Sequence, residues 1–517
     1  MLSLLIFLPL IGILAYLAVP STQIKWVKSI ALFITILQVL LFIPIGYEYK
    51  DALMELIWEE KYQWIRVSFG SWGIFQVNYH LALDSLNILM VILCLIIQPI
   101  VVLASWNVKD KPITYFILLS VLNTSLLGSF LAQDFFLFYL FYELMLIPMY
   151  FLIGIWGGEK RLYAAIKFFL YTLFGSVIML LVMVGMHFSY IDPTMPKSDI
   201  LVHTFNFQHL SDSSNLVADS FFLLTDVRFW SFWGLFLAFA VKLPLVPLHT
   251  WLPDAHVQAS TPISVLLAAL LLKVGGYGLM RICWGFFPDV AISYAEFIAG
   301  LSVVSIIYGG FNALAQNDLK RMIAYSSIAH MGFVLLGLTA MTATAFNGAM
   351  YQMFTHGIIS PMLFLTVGVL YDRVHNYQIN NFRGLWQLMP KYSFVVFIAF
   401  FAGMGLPGLA PFVSELLVFA GAFQSSLISP LWVIASVFGI LISAGYFLWT
   451  IQRMFMGKTA VMGGDTWLQK LKDLTIREKI MLIPLVIIAL WGGLYPQPFL
   501  GLIDEGIVSF VKILNKK

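Results

Sequence analysis

Six ionisable residues lie deep inside apolar stretches of this chain. Glu143 sits in LFYELMLIPMYFLIG, Lys242 in AVKLPLVPLHTWL and Lys273 in SVLLAALLLKVGGYGL. His330 sits in IAYSSIAHMGFVLLG, His356 in YQMFTHGIISPMLFL and Glu415 in APFVSELLVFAGAF. A charge at the centre of a bilayer costs roughly 2.5–3.5 kcal/mol even on the lenient insertion scale. Residues of these types are retained there when they carry ions or protons. Each also has a plainer reading. A histidine in a helix bundle can be a hydrogen-bonded packing residue, and a lysine near a helix end can reach the interface with its head group. Glu415 can serve carbonyls freed by a nearby proline. Together, the residue types suit proton transfer. Burial disfavours a charged lysine and a nearby carboxylate favours it. At about 7 Å and an effective dielectric near 20, a Glu143–Lys242 interaction is about 2.4 kcal/mol. That is comparable to the roughly 2.3 kcal/mol that one charge exchanges with a 100 mV membrane potential.

Two of these residues adjoin proline pairs. VKLPLVPLHTWL (residues 241–252) holds Pro244 and Pro247, and MGLPGLAPFVSEL (residues 404–416) holds Pro407 and Pro411. Proline removes a backbone donor and clashes with the preceding turn, so each segment is predicted to be a broken helix. Freed backbone groups at membrane depth need protein partners or a wet cavity. Paired broken helices at matching positions point to a transport site at the interface of inverted repeats.

The elements that must hold these groups follow from composition. Of 517 residues, 61% are hydrophobic and 11% are charged; a soluble domain carries about 25% charged residues. Continuous apolar runs recur, each able to cross a bilayer core of about 30 Å. They lack strand alternation, so the fold class is an all-α polytopic membrane protein. About fourteen spans are predicted, centred near residues 11, 37, 95, 122, 145, 176, 243, 273, 302, 332, 358, 408, 442 and 488. Helices 4–8 and 9–13 form two inverted five-helix repeats, each with one Pro-broken helix. The expected units are 1–112 (three helices), 113–288 (first repeat), 289–456 (second repeat) and 457–517 (a cytoplasmic linker and a last span). Two polar, acidic loops are expected near 48–80 and 190–228. Most Lys and Arg fall in connections after odd-numbered helices, among them Lys109, Lys160, Arg161, Arg321 and Arg373. Fewer, such as Arg66, Arg228 and Arg281, fall on the opposite face. The positive-inside rule then places the odd connections in the cytoplasm and both termini outside.

Other chemistries are missing from the sequence. There is no phosphate-binding glycine loop, dinucleotide fingerprint or cysteine cluster, and Cys94 and Cys283 both lie in predicted helices. KVGGYGLMR lies in a membrane helix, where glycines allow close packing. His249 and His256 do not form a one-face metal pair. Neither a cofactor nor nucleic acid is expected to bind. Such a chain is driven by an ion gradient or by partners.

The segments YELMLIPMYFLIGIWGG, VKLPLVPLHTWLPDAHVQASTPISVLLAALLLKVGGYGLMR, NDLKRMIAYSSIAHMGF and GLPGLAPFVSE closely resemble the antiporter-like membrane subunits of respiratory complex I, NADH–quinone oxidoreductase. The resemblance spans about residues 80–460. It implies proton translocation driven by quinone reduction in other subunits. Glu143 would pair with Lys242, and protons would pass to Lys273, through the region of His330 and His356, and on to Glu415. Flavin, iron–sulfur clusters and the NADH site would belong to partner subunits. Sister antiporter-like chains would flank this one, with lipid around it, in a bacterial inner membrane. Glu415, where sister chains usually have lysine, sides with one branch of these subunits. Ala410-Pro411 replaces the Asn-Gly common near the second break. Mrp-type Na+/H+ antiporter subunits and membrane-bound hydrogenase subunits share many of these residues and remain alternatives.

Overall fold

The computed structural model describes residues 1–20, 23–49, 56–70, 73–194, 201–217, 220–221 and 224–516. The loop residues Lys50, Asp51, Glu55, Lys197, Asp199 and Asp219 lie outside the described residues, as does Lys517.

The apolar runs form helices at or on either side of the predicted centres. They are α1 (Leu2–Ala18), α2 (Ile24–Tyr49), α3 (Ile88–Ala104), α4 (Pro112–Leu131), α5 (Phe135–Trp156) and α6 (Arg161–Ser189). The first broken helix, α7, comprises α7a (Val227–Lys242) and α7b (Trp251–Gln258). Then come α8 (Thr261–Trp284), α9 (Ala295–Leu314), α10 (Leu319–Thr339) and α11 (Ala343–Val374). The second broken helix, α12, comprises α12a (Pro390–Gly403) and α12b (Ala410–Phe423), and α13 (Pro430–Phe455) and α14 (Ile476–Leu494) follow. Among the described residues, 10 helices are long and apolar enough to cross a membrane. The broken helix thus comes fourth in each five-helix set.

Burial sorts the helices by what they carry. The apolar stretches of α8 and α11 are wholly buried, and that of α10 almost wholly. These three hold Lys273, His330 and His356. α2, α6 and α13 turn most of their apolar surface outward, as lipid-facing helices do. Membrane helices place polar groups toward the bundle interior because lipid offers them no partner.

Two features go beyond the predicted elements. The first acidic loop contains an antiparallel hairpin of β1 (Ile57–Ser68) and β2 (Ile74–Leu83). β2 is largely buried against the bundle while β1 faces outward, so only one strand needed an apolar face. Gly70 (φ 63°) and Gly73 (φ 99°) sit at its turn, in conformations that glycine adopts without strain. After α14, the chain also adds an amphipathic helix, α15 (Asp504–Leu514), which the single predicted C-terminal span did not include. Both termini lie on the hairpin's face. The Met1 ammonium is held by Glu60 of β1, and Gly506 packs on Ser85.

The opposite face is clamped by the segment before α14. Arg373, at the end of α11, makes a bidentate 2.9 Å pair with Glu478 and also donates to Lys472 O and Asp473 O. The Asp473 carboxylate accepts the N–H groups of Lys391 and Tyr392 at the start of α12a. It thereby satisfies helix-terminal donors that have no intrahelical partner.

Candidate functional site

The first ionisable pair is built around two helix defects. Pro148 cannot donate to Leu144 O, and α5 is interrupted at Met145. Glu143 sits just before that interruption, with Oε1 buried and without a hydrogen-bond partner. Lys242 is the last residue of α7a, fully buried, and its Nζ also has no hydrogen-bond partner. Its ammonium lies 4.4 Å from the centroid of the Tyr142 ring, a cation–π contact that stabilises the charge without fixing the proton. Glu143 and Lys242 interact through space but do not form a closed ion pair.

Both breaks show the same backbone device. At α7, Leu243 N–H reaches Phe239 O and Leu245 N–H reaches Ala240 O. At α12, Met404 N–H reaches Phe400 O and Leu406 N–H reaches Phe401 O. The matching positions are therefore Leu245 and Leu406, so Pro244 corresponds to Gly405 rather than to Pro407. The freed Val241 carbonyl is taken by Trp251 Nε1 at 2.9 Å, and Val246 N–H donates to Ser305 Oγ at 3.1 Å. Pro247 lies within the first break. Pro407 lies in the second, between Gly405 (φ 74°) and Gly408 (φ 92°). Pro411 lies in the first turn of α12b, where its missing N–H costs nothing. The Ala410-Pro411 departure therefore leaves the helix restart intact.

The second group is contiguous. α8 contains a π-helical turn at Leu267–Leu271, which displaces the carbonyls just ahead of Lys273. Lys273 Nζ donates to Ala268 O at 2.5 Å and lies 2.7 Å from His356 Nδ1. With the ammonium donating, Nδ1 is the acceptor nitrogen of a neutral imidazole. The rings of His356 and His330 are 5.4 Å apart. His330 Nδ1 lies 3.4 Å from Gln352 Nε2 and 3.6 Å from Glu415 Oε1. Ser414 Oγ donates to Gln352 Oε1 and lies 3.2 Å from Thr355 Oγ1. A cavity of about 10 Å³ is lined by Ser326, His330, Gln352, His356 and Ser360. That is room for about one water with polar partners on several sides.

Lys273, His356, His330 and Glu415 thus form one run across α8, α11, α10 and α12b. Glu143 and Lys242 form the first group, and no direct bond joins it to the run. Their helices do touch at the break: a Cβ on Gly275 would meet Leu243 N at 2.7 Å and Lys242 C at 3.1 Å.

Two residues read otherwise in the sequence extend the second group. His256, on α7b, is fully buried, stacks on Phe364 at 4.5 Å, and has no hydrogen-bond partner at either ring nitrogen. It lies within electrostatic reach of Lys273 and Lys320. Lys320 follows the α10 N-cap Asp318, a helix-start signature that reads as a loop edge. Its side chain turns inward, is buried, and donates to Ala259 O. Lys320 also lines a cavity of about 300 Å³ that opens on the clamped face beside Ser260, Asp372 and Glu478. Only the absence of a partner for His256 in the folded chain reveals its place.

Fold and site together define a multi-pass helical membrane protein whose two broken helices flank buried acid and base groups. The chain belongs to the NADH:quinone oxidoreductase/Mrp antiporter transmembrane family, whose model matches residues 132–443. It is 40% identical to NADH-quinone oxidoreductase subunit M of Rhodobacter capsulatus, over 99% of this chain and 96% of that protein. It is 38% identical to NAD(P)H-quinone oxidoreductase chain 4 2 of Thermosynechococcus vestitus, over 96% of this chain and 89% of that one. Its structure matches a chain of respiratory complex I from Thermus thermophilus with bound NADH, with a TM-score of 0.82 and 28% identity, over 99% of this chain and 100% of the other. A chain of the membrane-bound sulfane sulfur reductase, an archaeal respiratory membrane complex, matches with a TM-score of 0.80 at 23% identity over 99% of each chain. That second likeness shows a shared fold.

Proposed function

We propose that this chain is the proton-translocating, non-redox membrane-arm subunit of an NADH–quinone oxidoreductase. The observation that carries the reading is the close succession of Lys273, His356, His330 and Glu415 inside the bundle. Near-full-length relatives bearing the M and chain 4 names favour it over a separate Mrp-type antiporter. Flavin and iron–sulfur clusters would reside in partner subunits, and sister antiporter-like chains would flank this one. The setting is a bacterial inner membrane with both termini on its outer side. The units 113–288 and 289–456 act as the two inverted halves, with 1–112 and 457–517 bracing them.

In this reading Lys273 as an ammonium passes a proton to His356 Nδ1, leaving a neutral amine. The imidazolium relays it to His330, through the single-water cavity or a ring rotation. His330 then delivers it to Glu415, whose carboxylate becomes neutral. The 3.6 Å His330–Glu415 separation exceeds the usual 2.7–3.2 Å hydrogen-bond range, so this last step requires the pair to close. Glu143 sets the charge on Lys242: a Lys242 left with an ionised Glu143 holds its proton, and a neutral Glu143 releases it. Lys320 and His256 supply Lys273 from the cavity on the clamped, cytoplasmic face.

Purification of the assembled complex in mild detergent should yield flavin and iron–sulfur absorbance with this chain present. In vesicles, Lys242→Ala and Glu143→Ala should sharply reduce NADH-driven acidification. Co-purification with small antiporter subunits lacking redox centres, or unchanged pumping in both variants, would overturn the reading.

A further inference from the structure

Lys273 and Tyr277 are four residues apart on α8 and so share a face. Arg281 follows in a second π-helical turn, Leu279–Trp284, with its guanidinium on Asp84 and Gln133. Eight residues at 1.5 Å each put Arg281 about 12 Å from Lys273 along the axis, toward the hairpin's face. Polar groups continue the line. The Tyr277 hydroxyl donates to Phe130 O at 3.2 Å, and Asn87 Nδ2 donates to the same carbonyl at 3.1 Å. Asn87 Oδ1 accepts from Asp84 N–H at 2.8 Å, while Asp84 Oδ1 accepts the N–H groups of Leu86 and Asn87. Beyond them, a cavity of about 470 Å³ opens on the hairpin's face, lined by Asp84, Ser85, Gln208, Ser211 and Arg281. A space opening on the hairpin's face therefore comes within about two helical turns of the central lysine.

Arg281 stands at that mouth. Its guanidinium is paired with Asp84 and bonded to Gln133 Oε1, and it lies 5.6 Å from the Phe207 ring centroid. Gln133 Nε2 donates back to Asp84 Oδ2 at 3.2 Å, closing a three-membered ring of contacts. Arginine keeps its charge at any working pH and has no lone pair to accept a proton. A fixed positive charge at a polar constriction excludes protons, as it does in other pores. We propose that Arg281 is the outer electrostatic seal of the proton site: it blocks back-flow from the outer space to Lys273 and so helps set the direction of transport. Asp84 holds it there and, without it, would become a proton carrier.

The inference rests on the proposed path through Lys273, and its test is run without redox turnover so that the two can fail separately. The whole complex is reconstituted in vesicles, and passive proton entry is measured under a potassium–valinomycin potential. Loss of one charge about 12 Å away at an effective dielectric near 20 changes proton occupancy about tenfold. Arg281→Gln should therefore raise the passive leak about tenfold or more. Lys273→Met added to it should abolish the leak. Arg281→Lys, which keeps the charge, and Arg281→Gln with Asp84→Asn, which removes the carrier, should both stay near wild-type tightness. An assembled Arg281→Gln complex that does not leak, or an Arg281→Lys complex that leaks as much, would overturn the seal. Neither result would touch the loss of pumping expected from Lys242→Ala.

Discussion

Replacing Glu415 with glutamine tests the relay at its narrowest point. The amide keeps the size of the carboxylate and removes its charge. In the native chain, Glu415 Oε1 lies 3.6 Å from His330 Nδ1, both largely buried. When His330 carries the proton, the pair attracts by about 4.6 kcal/mol at an effective dielectric near 20. Removing the charge also removes the cost of burying it, so the net loss is smaller, about 3 kcal/mol. If that loss falls on the transfer step, the step slows by roughly 100-fold. The assay is NADH-driven acidification of vesicles holding the reconstituted complex, read alongside NADH oxidation with and without an uncoupler. Pumping should fall by more than tenfold and the coupled oxidation rate should fall with it, while assembly and flavin-site activity stay normal. A Glu415→Gln complex that keeps both its rate and its proton yield within twofold would refute the idea that His330 hands protons to Glu415.

Other outcomes follow from neighbouring geometry. Gly405→Ala should impair assembly, because φ is 74° there and a Cβ would collide with Glu415 Oε2; a thermal-shift assay of the complex should fall by several degrees. His256→Ala should slow proton uptake from the clamped face, so turnover drops most at high pH, where protons are scarce; an unchanged pH profile would remove His256 from the route. Asp473 is partly buried, which raises its pKa, but the N–H groups of Leu474, Lys391 and Tyr392 outweigh this and hold it below the ordinary 3.8. Its stabilisation is therefore complete above about pH 4 and is lost as the pH falls through the depressed value. Asp473→Ala should cost about 1 kcal/mol at neutral pH, as loss of a helix cap does, and loosen the start of α12a to hydrogen exchange.

Much of the fold was legible because helix formation in lipid is a local matter. Each apolar run had to pair its own backbone, so the helices could be read from the chain. The breaks at Pro244 and Pro407 were equally local, since a missing N–H acts on its own helix. The β1–β2 hairpin escaped that reading: β1 faces outward and is rich in charge, so a strand and a polar loop look alike there. The α15 helix is too short and too polar on one face to register as a span.

What the sequence determined by itself was the helix that carries each of the six ionisable groups named from it; buried His256 and Lys320 were added only by the fold. Which of them touch was decided only in three dimensions. Lys273 and His356 are 83 residues apart and meet at 2.7 Å. Arg281 and Asp84 are 197 residues apart and pair at the mouth of the cavity on the hairpin's face. Lys320 looked like a loop cation until α7b and α10 packed around it. The physical reason is one of range: backbone pairing and proline breaks act within a turn or two of chain, whereas a proton moves only between groups that packing has brought within a few ångströms.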